Sequence, residues 1–127
     1  MSNLVLDTSV LLACINGEPG SETILDEIPG SLVSAVNLAE AVGVLVRQGA
    51  ATDRACEILA LLDFQLVDFE RGLAEETGAL ALHTRSTGLS LGDRACLALA
   101  AREKLPAVTA DRAWKGVQTG IQLRFIR

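Results

Sequence analysis

The sequence predicts an α/β fold: a mostly parallel central sheet of about five strands with helices on both faces. Short apolar runs such as Leu4-Val5-Leu6 and Ala107-Val108-Thr109 alternate with helical stretches of 10 to 15 residues. Strands separated in this way need crossover connections, which favour parallel pairing.

The elements follow in order. A strand over residues 3–6 leads into a helix ending at residue 15, broken by Gly17-Glu18-Pro19-Gly20. A short helix is expected over 22–28, and Pro29-Gly30 turns the chain into a strand over 31–34. A long helix over 35–48 is stopped by Gly49. Thr52-Asp53 opens a helix through residue 62, with Asp53 as its cap, and a strand follows over 65–69. Helices over 72–86 and 93–104 are joined by Gly-Leu-Ser-Leu-Gly. A strand over 106–109, a helical turn after Asp111 and a last strand over 121–126 complete the chain. The whole reads as one domain, 1–127, with no linker and no structural repeat.

Composition narrows the function. Half of the 127 residues are hydrophobic and the mean hydropathy is +0.36, high for a lone domain of this size. A partner chain, a homodimer above all, is the expected cover for the excess apolar surface. No apolar run is long enough to span a membrane, and the start of the chain lacks the basic segment of a signal peptide. The expected location is the cytoplasm. Cys14, Cys56 and Cys96 are an odd number without CxxC spacing and read as reduced core thiols. The single histidine, His83, has no partner at metal-ligand spacing. The net charge of −5 argues against broad electrostatic binding of nucleic acid, so direct DNA binding by this chain alone is not expected.

In an open parallel sheet, ligands sit at the carboxyl ends of the strands. Asp7 follows the first strand directly and Asp111 follows the strand of "PAVTA", so both should project from one sheet edge. Each also fits a helix cap, and one carboxylate can do both. Asp93 lies in "DRAC", a tetrapeptide also found at Asp53, and Ser90-Leu91-Gly92-Asp93 fits a capping box. A cap and a site role are both open for Asp93, whereas Asp53 follows a loop and reads as a cap alone. Glu40 shares a narrow polar stripe with Arg47 on a helix whose apolar arc is Leu38, Ala39, Val42, Leu45 and Val46. That stripe faces either solvent or the carboxylate edge.

"LVLDTSVLLA", "SAVNLAEAVGVL", "LSLGDRACLALA" and "AVTADRAW", in that order, resemble the PIN-domain family, and in size the VapC-type ribonuclease toxins of toxin–antitoxin pairs. The resemblance covers essentially the whole chain and implies a PIN-like three-layer domain. It also implies an acidic site of Asp7, Glu40, Asp93 and Asp111, with Ser9 and Thr109 supporting it. Oxygen ligands alone favour Mg²⁺ or Mn²⁺, and the family's activity is hydrolysis of RNA. Arg47, Arg94 and Arg112 are the candidate RNA contacts, and a cognate antitoxin is the implied protein partner. Three other readings fit parts of the pattern: an RNA-processing PIN nuclease outside toxin–antitoxin systems, a non-catalytic PIN scaffold, and a phosphoryl-transfer α/β domain. The last lacks a D-x-D after the first strand and a phosphate-contacting lysine after "AVTAD".

Overall fold

The computed structural model describes residues 3–117 and 119–127. Its centre is a five-stranded sheet made of β1 (Leu4–Leu6), β2 (Ser31–Ser34), β3 (Gln65–Val67), β4 (Ala107–Thr109) and β5 (Leu123–Phe125). All four pairings are parallel, in the order β3-β2-β1-β4-β5. Successive strands step one way from β1 to β3 and then the other way through β4 and β5. The reversal falls between β1 and β4, where a doubly wound sheet opens a crevice at its carboxyl edge.

Side-chain alternation along each strand divides the core into two layers. Leu4, Leu6, Val33 and Val108 point to one face, where they pack on α1 (Thr8–Asn16), α2 (Ala35–Arg47) and α3 (Thr52–Ala60). Val5, Leu32 and Ala107 point to the other face, against α4 (Arg71–Ala79), α5 (Leu91–Glu103) and Trp114. On α5 the run Ala95 to Ala100 is buried throughout, consistent with its all-apolar sequence.

Several local expectations need correction. The 22–28 segment forms two 3-10 turns, Ser21–Thr23 and Leu25–Gly30, and Pro29, which lacks an amide hydrogen for an α-helical bond, falls inside the second. The helix expected over 72–86 ends at Ala79, with turns and a 3-10 turn at Arg85–Thr87 after it. The helix expected from Asp93 begins at Leu91, because Ser90 is its cap. Asp53 is no cap: Ala51 holds that position without a side-chain bond, and Asp53 lies inside the first turn. Cys56 is exposed, unlike buried Cys96 and half-buried Cys14, since α3 packs through Ala55 and Leu59 instead. On α2 the buried stripe is Asn37, Ala41 and Leu45, while Ala39 and Val46 are exposed.

Candidate acidic site at the carboxyl edge of the sheet

The backbone leaving β1 continues the ladder to β4, with the Asp7 amide donating to the Val108 carbonyl at 3.1 Å. This sets Asp7 beside Thr109 at the point where the strand order reverses. Asp7 then turns the chain into α1 as its N-cap: Oδ1 accepts from the Val10 amide at 3.0 Å and from the Ser9 hydroxyl at 2.7 Å. Its other oxygen, Oδ2, accepts from the Thr109 hydroxyl at 2.5 Å. A carboxylate offers about four lone pairs, so one acceptor position remains, on Oδ2.

Ser9 and Thr109 are themselves fixed. The Ser9 hydroxyl accepts from the Ala110 amide at 2.8 Å, and the Thr109 hydroxyl accepts from the Asp111 amide at 2.9 Å. Thr109 therefore joins two of the acids through a single oxygen. Asp7 is almost wholly buried. That burial, reinforced by the charge of Asp93, raises its carboxyl to about 6 in spite of the three hydrogen bonds that oppose the shift. Cys96 lies close behind. Burial first, then the charges of Asp7 and Asp93, holds its thiol well above the ordinary thiol range.

The other three acids arrive from three different elements. Asp93 closes a reciprocal capping box at the start of α5: its Oδ2 accepts from the Ser90 amide at 2.9 Å while the Ser90 hydroxyl accepts from the Asp93 amide at 3.2 Å. Asp111 caps the 3-10 turn Arg112–Gly116 through Oδ1 and the Ala113 amide at 2.9 Å. Glu40, on α2, accepts from the Thr8 hydroxyl at 2.8 Å through Oε1. Each of the three uses one oxygen to hold local structure. The second oxygen has no protein hydrogen bond among the described residues.

Glu40 is held by a network that sequence reasoning did not single out. Asn37, fully buried, donates through Nδ2 to the Thr8 hydroxyl oxygen at 3.1 Å and to the Gly92 carbonyl at 3.1 Å. The Thr8 hydroxyl also approaches the Asn37 carbonyl at 3.2 Å. Gly92 lies so close to Glu40 that a Cβ there would fall 1.9 Å from Oε1. A signal for this network is present in the sequence. Asn37 is a polar residue on the i, i+4, i+8 stripe that α2 buries, and such a group needs partners at the end of a neighbouring element.

Asp7, Glu40, Asp93 and Asp111 all line one open cavity of about 390 Å³, with Ser9 and Arg47. The side chains of the other two arginines lie elsewhere. Arg94 donates from Nη1 to the Thr77 carbonyl of α4 at 3.3 Å, and Arg112 is exposed outside the cavity lining. Among the described residues, no three His, Cys, Asp or Glu side chains close tightly enough to cage an ion. Mg²⁺ does not need such a cage, since it keeps several waters and takes one or two carboxylates directly. The donors here are all hard oxygens, and four carboxylates face a cavity whose lining includes one cation, Arg47. The residues fit a hydrated divalent ion.

A doubly wound α/β domain with clustered carboxylates at its switch point is the class that fold and site define. The sequence matches the PIN domain family over residues 4–119, and the chain belongs to that family. Solved structures agree in fold. A chain of the DNA-bound VapBC from Salmonella typhimurium aligns with a TM-score of 0.79 at 19% identity over 100% of both chains. VapC20 of Mycobacterium tuberculosis, a sarcin–ricin-loop-cleaving toxin, aligns at 0.73 and 18% identity over 87% of this chain and 91% of that one. VapBC-5 of Mycobacterium tuberculosis, from the VapBC family of toxin–antitoxin systems, is 27% identical with a TM-score of 0.61, covering 100% of this chain and 99% of that one. No curated protein is significantly similar in sequence.

Proposed function

We propose that this chain is the toxin of a VapBC-type toxin–antitoxin pair and an Mg²⁺- or Mn²⁺-dependent endoribonuclease acting through Asp7, Glu40, Asp93 and Asp111. The observation that carries this reading is their common cavity at the switch point, reached from four separate elements. Membership of the PIN family supports the nuclease class. The 27% identity with VapBC-5 over the full chain supports the toxin–antitoxin assignment.

Bound there, Mg²⁺ or Mn²⁺ supplies Lewis acidity towards the phosphodiester and a water of lowered pKa. Asp7 offers the one open position on Oδ2, and Asp93 and Asp111 offer the oxygens left over from their caps. Glu40 would hold a ligand water or a second ion through Oε2, its orientation fixed by Thr8 and by the close approach of Gly92. Ser9 and Thr109 keep Asp7 in one rotamer, and Arg47 meets a phosphate oxygen at the side of the cavity. Cleavage of single-stranded RNA in Mg²⁺ or Mn²⁺, lost in EDTA and restored by the ion, is the expected result. Full cleavage in excess chelator overturns the metal mechanism.

The protein partner in this reading is a cognate antitoxin that covers the cavity, and the free chain is a homodimer in the cytoplasm. Two features support a protein partner. Leu61 is 80% exposed and Leu82 68%, and an apolar groove between α2 and α3 is lined by Leu38, Val42, Cys56 and Phe64. Among the described residues, no helix is long and apolar enough to cross a membrane. Light scattering at micromolar concentration should give twice the chain mass, whereas a stable monomer indifferent to any antitoxin counts against the assembly.

A further inference from the structure

An acidic cavity repels the polyanion it is proposed to cut, so the strand needs cations beside it. The chain has eleven basic side chains and a net charge of −5, and their distribution is uneven. Arg54, Arg71, Arg102, Arg124 and Arg127 are engaged in ion pairs with neighbouring acids. Arg94 is turned onto the Thr77 carbonyl. Lys104 follows α5 and lines a cavity with Pro106 and Gln122, just before β4 and β5 and so at the opposite end of the sheet. Among the described residues this leaves Arg47, Arg85, Arg112 and Lys115 without an acidic partner.

These four are not scattered. Arg47 lines the cavity itself. Arg85 belongs to the 3-10 turn Arg85–Thr87 and lies five residues before Ser90, which lines the cavity. Arg112 and Lys115 belong to the turn that starts directly after Asp111. The two turns pack on each other: a Cβ on Gly116 would lie 3.3 Å from the Thr87 methyl. Arg85, Arg112 and Lys115 are exposed, and the Lys115 ammonium lies 5.9 Å from the centre of the Phe125 ring, which steadies it without neutralising it.

We infer that the two packed turns carrying Arg85, Arg112 and Lys115 form a phosphate-binding rim, and that a single-stranded RNA crosses the cavity from this rim towards Arg47. The inference rests on the nuclease reading above and adds the path of the strand. It assigns RNA contact to Arg85 and Lys115, which no sequence motif marks, and takes it from Arg94. Contact is to backbone phosphates. The rim offers point charges and guanidinium forks, and the Phe125 ring beside it is taken up by the Lys115 ammonium.

The test is binding of a fluorescent single-stranded RNA in EDTA, where cleavage is absent, across a series of salt concentrations. For single strands the slope of log affinity against log salt changes by about 0.7 for each phosphate that the protein ceases to neutralise. The R85A/K115A double variant should therefore bind about tenfold more weakly at low salt, with a slope shallower by about 1.4. R54A/R71A, which removes two ion-paired arginines outside the cavity lining, should match the wild type. All four are surface substitutions, and an unchanged melting temperature confirms folding. Equal slopes for the wild type and R85A/K115A overturn the rim, and the patch is then a protein-binding surface. The two readings fail separately: a wild type that cleaves RNA but ignores Arg85 and Lys115 refutes only the path, whereas one that neither binds nor cleaves RNA refutes both.

Discussion

Glu40, midway along α2, and Gly92, at the start of α5, sit in contact, with no room between the carboxylate and the glycine for even a methyl group. The same Glu40 carboxylate takes the Thr8 hydroxyl, and the Gly92 carbonyl takes the Asn37 amide. Glycine at position 92 is thus a steric condition on where Glu40 can stand.

Gly92→Ala tests this directly. Alanine favours a helix by about 1 kcal/mol over glycine, while forcing a methyl into a filled site costs about 1–3 kcal/mol. The net cost is then about 0–2 kcal/mol, and the variant should fold with a melting temperature lowered by less than about 10 °C. Glu40 must move aside by about the width of that methyl. A misplacement of roughly 1 Å is worth about a hundredfold in rate, so RNA cleavage should fall by about that factor. Cleavage at the wild-type rate would mean that Glu40 does not need this position.

Asp7 makes a second prediction, concerning pH. Its carboxyl is raised from 3.8 to about 6 in the folded chain, so the folded state holds a proton that the unfolded state releases over this interval. The stability associated with that proton is fully present below pH 3.8 and is lost as pH rises through about 6. At neutral pH, keeping Asp7 ionised then costs about 3 kcal/mol in metal-free protein. In EDTA the melting temperature should gain less between pH 4 and 6 than other groups would provide. Asp7→Asn should remove this component, and Mg²⁺ should remove it in the wild type. An identical pH profile for wild type and Asp7→Asn in EDTA would contradict the assignment.

The repeated tetrapeptide Asp-Arg-Ala-Cys gives a matched pair. Asp53 makes no capping bond and lies in the first turn of an exposed helix end, so Asp53→Ala should cost only about 0.3–1 kcal/mol through the helix dipole, with cleavage unchanged. Asp93→Asn keeps an oxygen for the Ser90 amide and hence most of the cap. It should leave the fold intact, abolish cleavage and shrink the melting shift produced by Mg²⁺, since that shift measures ion affinity for the folded state. Persisting cleavage in Asp93→Asn would remove Asp93 from the site.

The same pair shows what was legible in the sequence. The order of strands and helices, the two layers and the carboxyl-edge position of Asp7 and Asp111 follow from apolar spacing and strand ends, which are local. Asp93 and Glu40 needed a resemblance to place them, because a capping box and a polar helix stripe look alike whether or not they face a cavity. The Thr8–Asn37–Gly92 network joins three elements far apart in the chain, and no local pattern specifies which backbone carbonyl Asn37 will meet. Helix ends went wrong for a related reason. The 72–86 segment keeps a helical composition past Ala79, and the contact that meets its last turn comes from α5, which no local pattern specifies.

That contact involves Arg94. Its guanidinium donates to the Thr77 carbonyl, which lies in the last turn of α4, where carbonyls lack amide partners within the helix. A cation at a helix C-terminus also offsets the negative end of the dipole. Arg94 therefore acts as a cap on α4 delivered from α5, although its place beside Asp93 suggested an RNA contact. Arg94→Ala should lower stability by about 1 kcal/mol, within the range for a partly exposed hydrogen bond from a charged donor. It should also loosen residues 80–87, seen as faster amide hydrogen exchange there. The salt dependence of RNA binding should stay at the wild-type slope. Arg94→Lys should restore part of the loss, because an ammonium keeps the charge at the helix end and can replace a single bond from Nη1. A shallower salt slope in Arg94→Ala, with hydrogen exchange unchanged over 80–87, would return this residue to the RNA and leave the end of α4 unexplained.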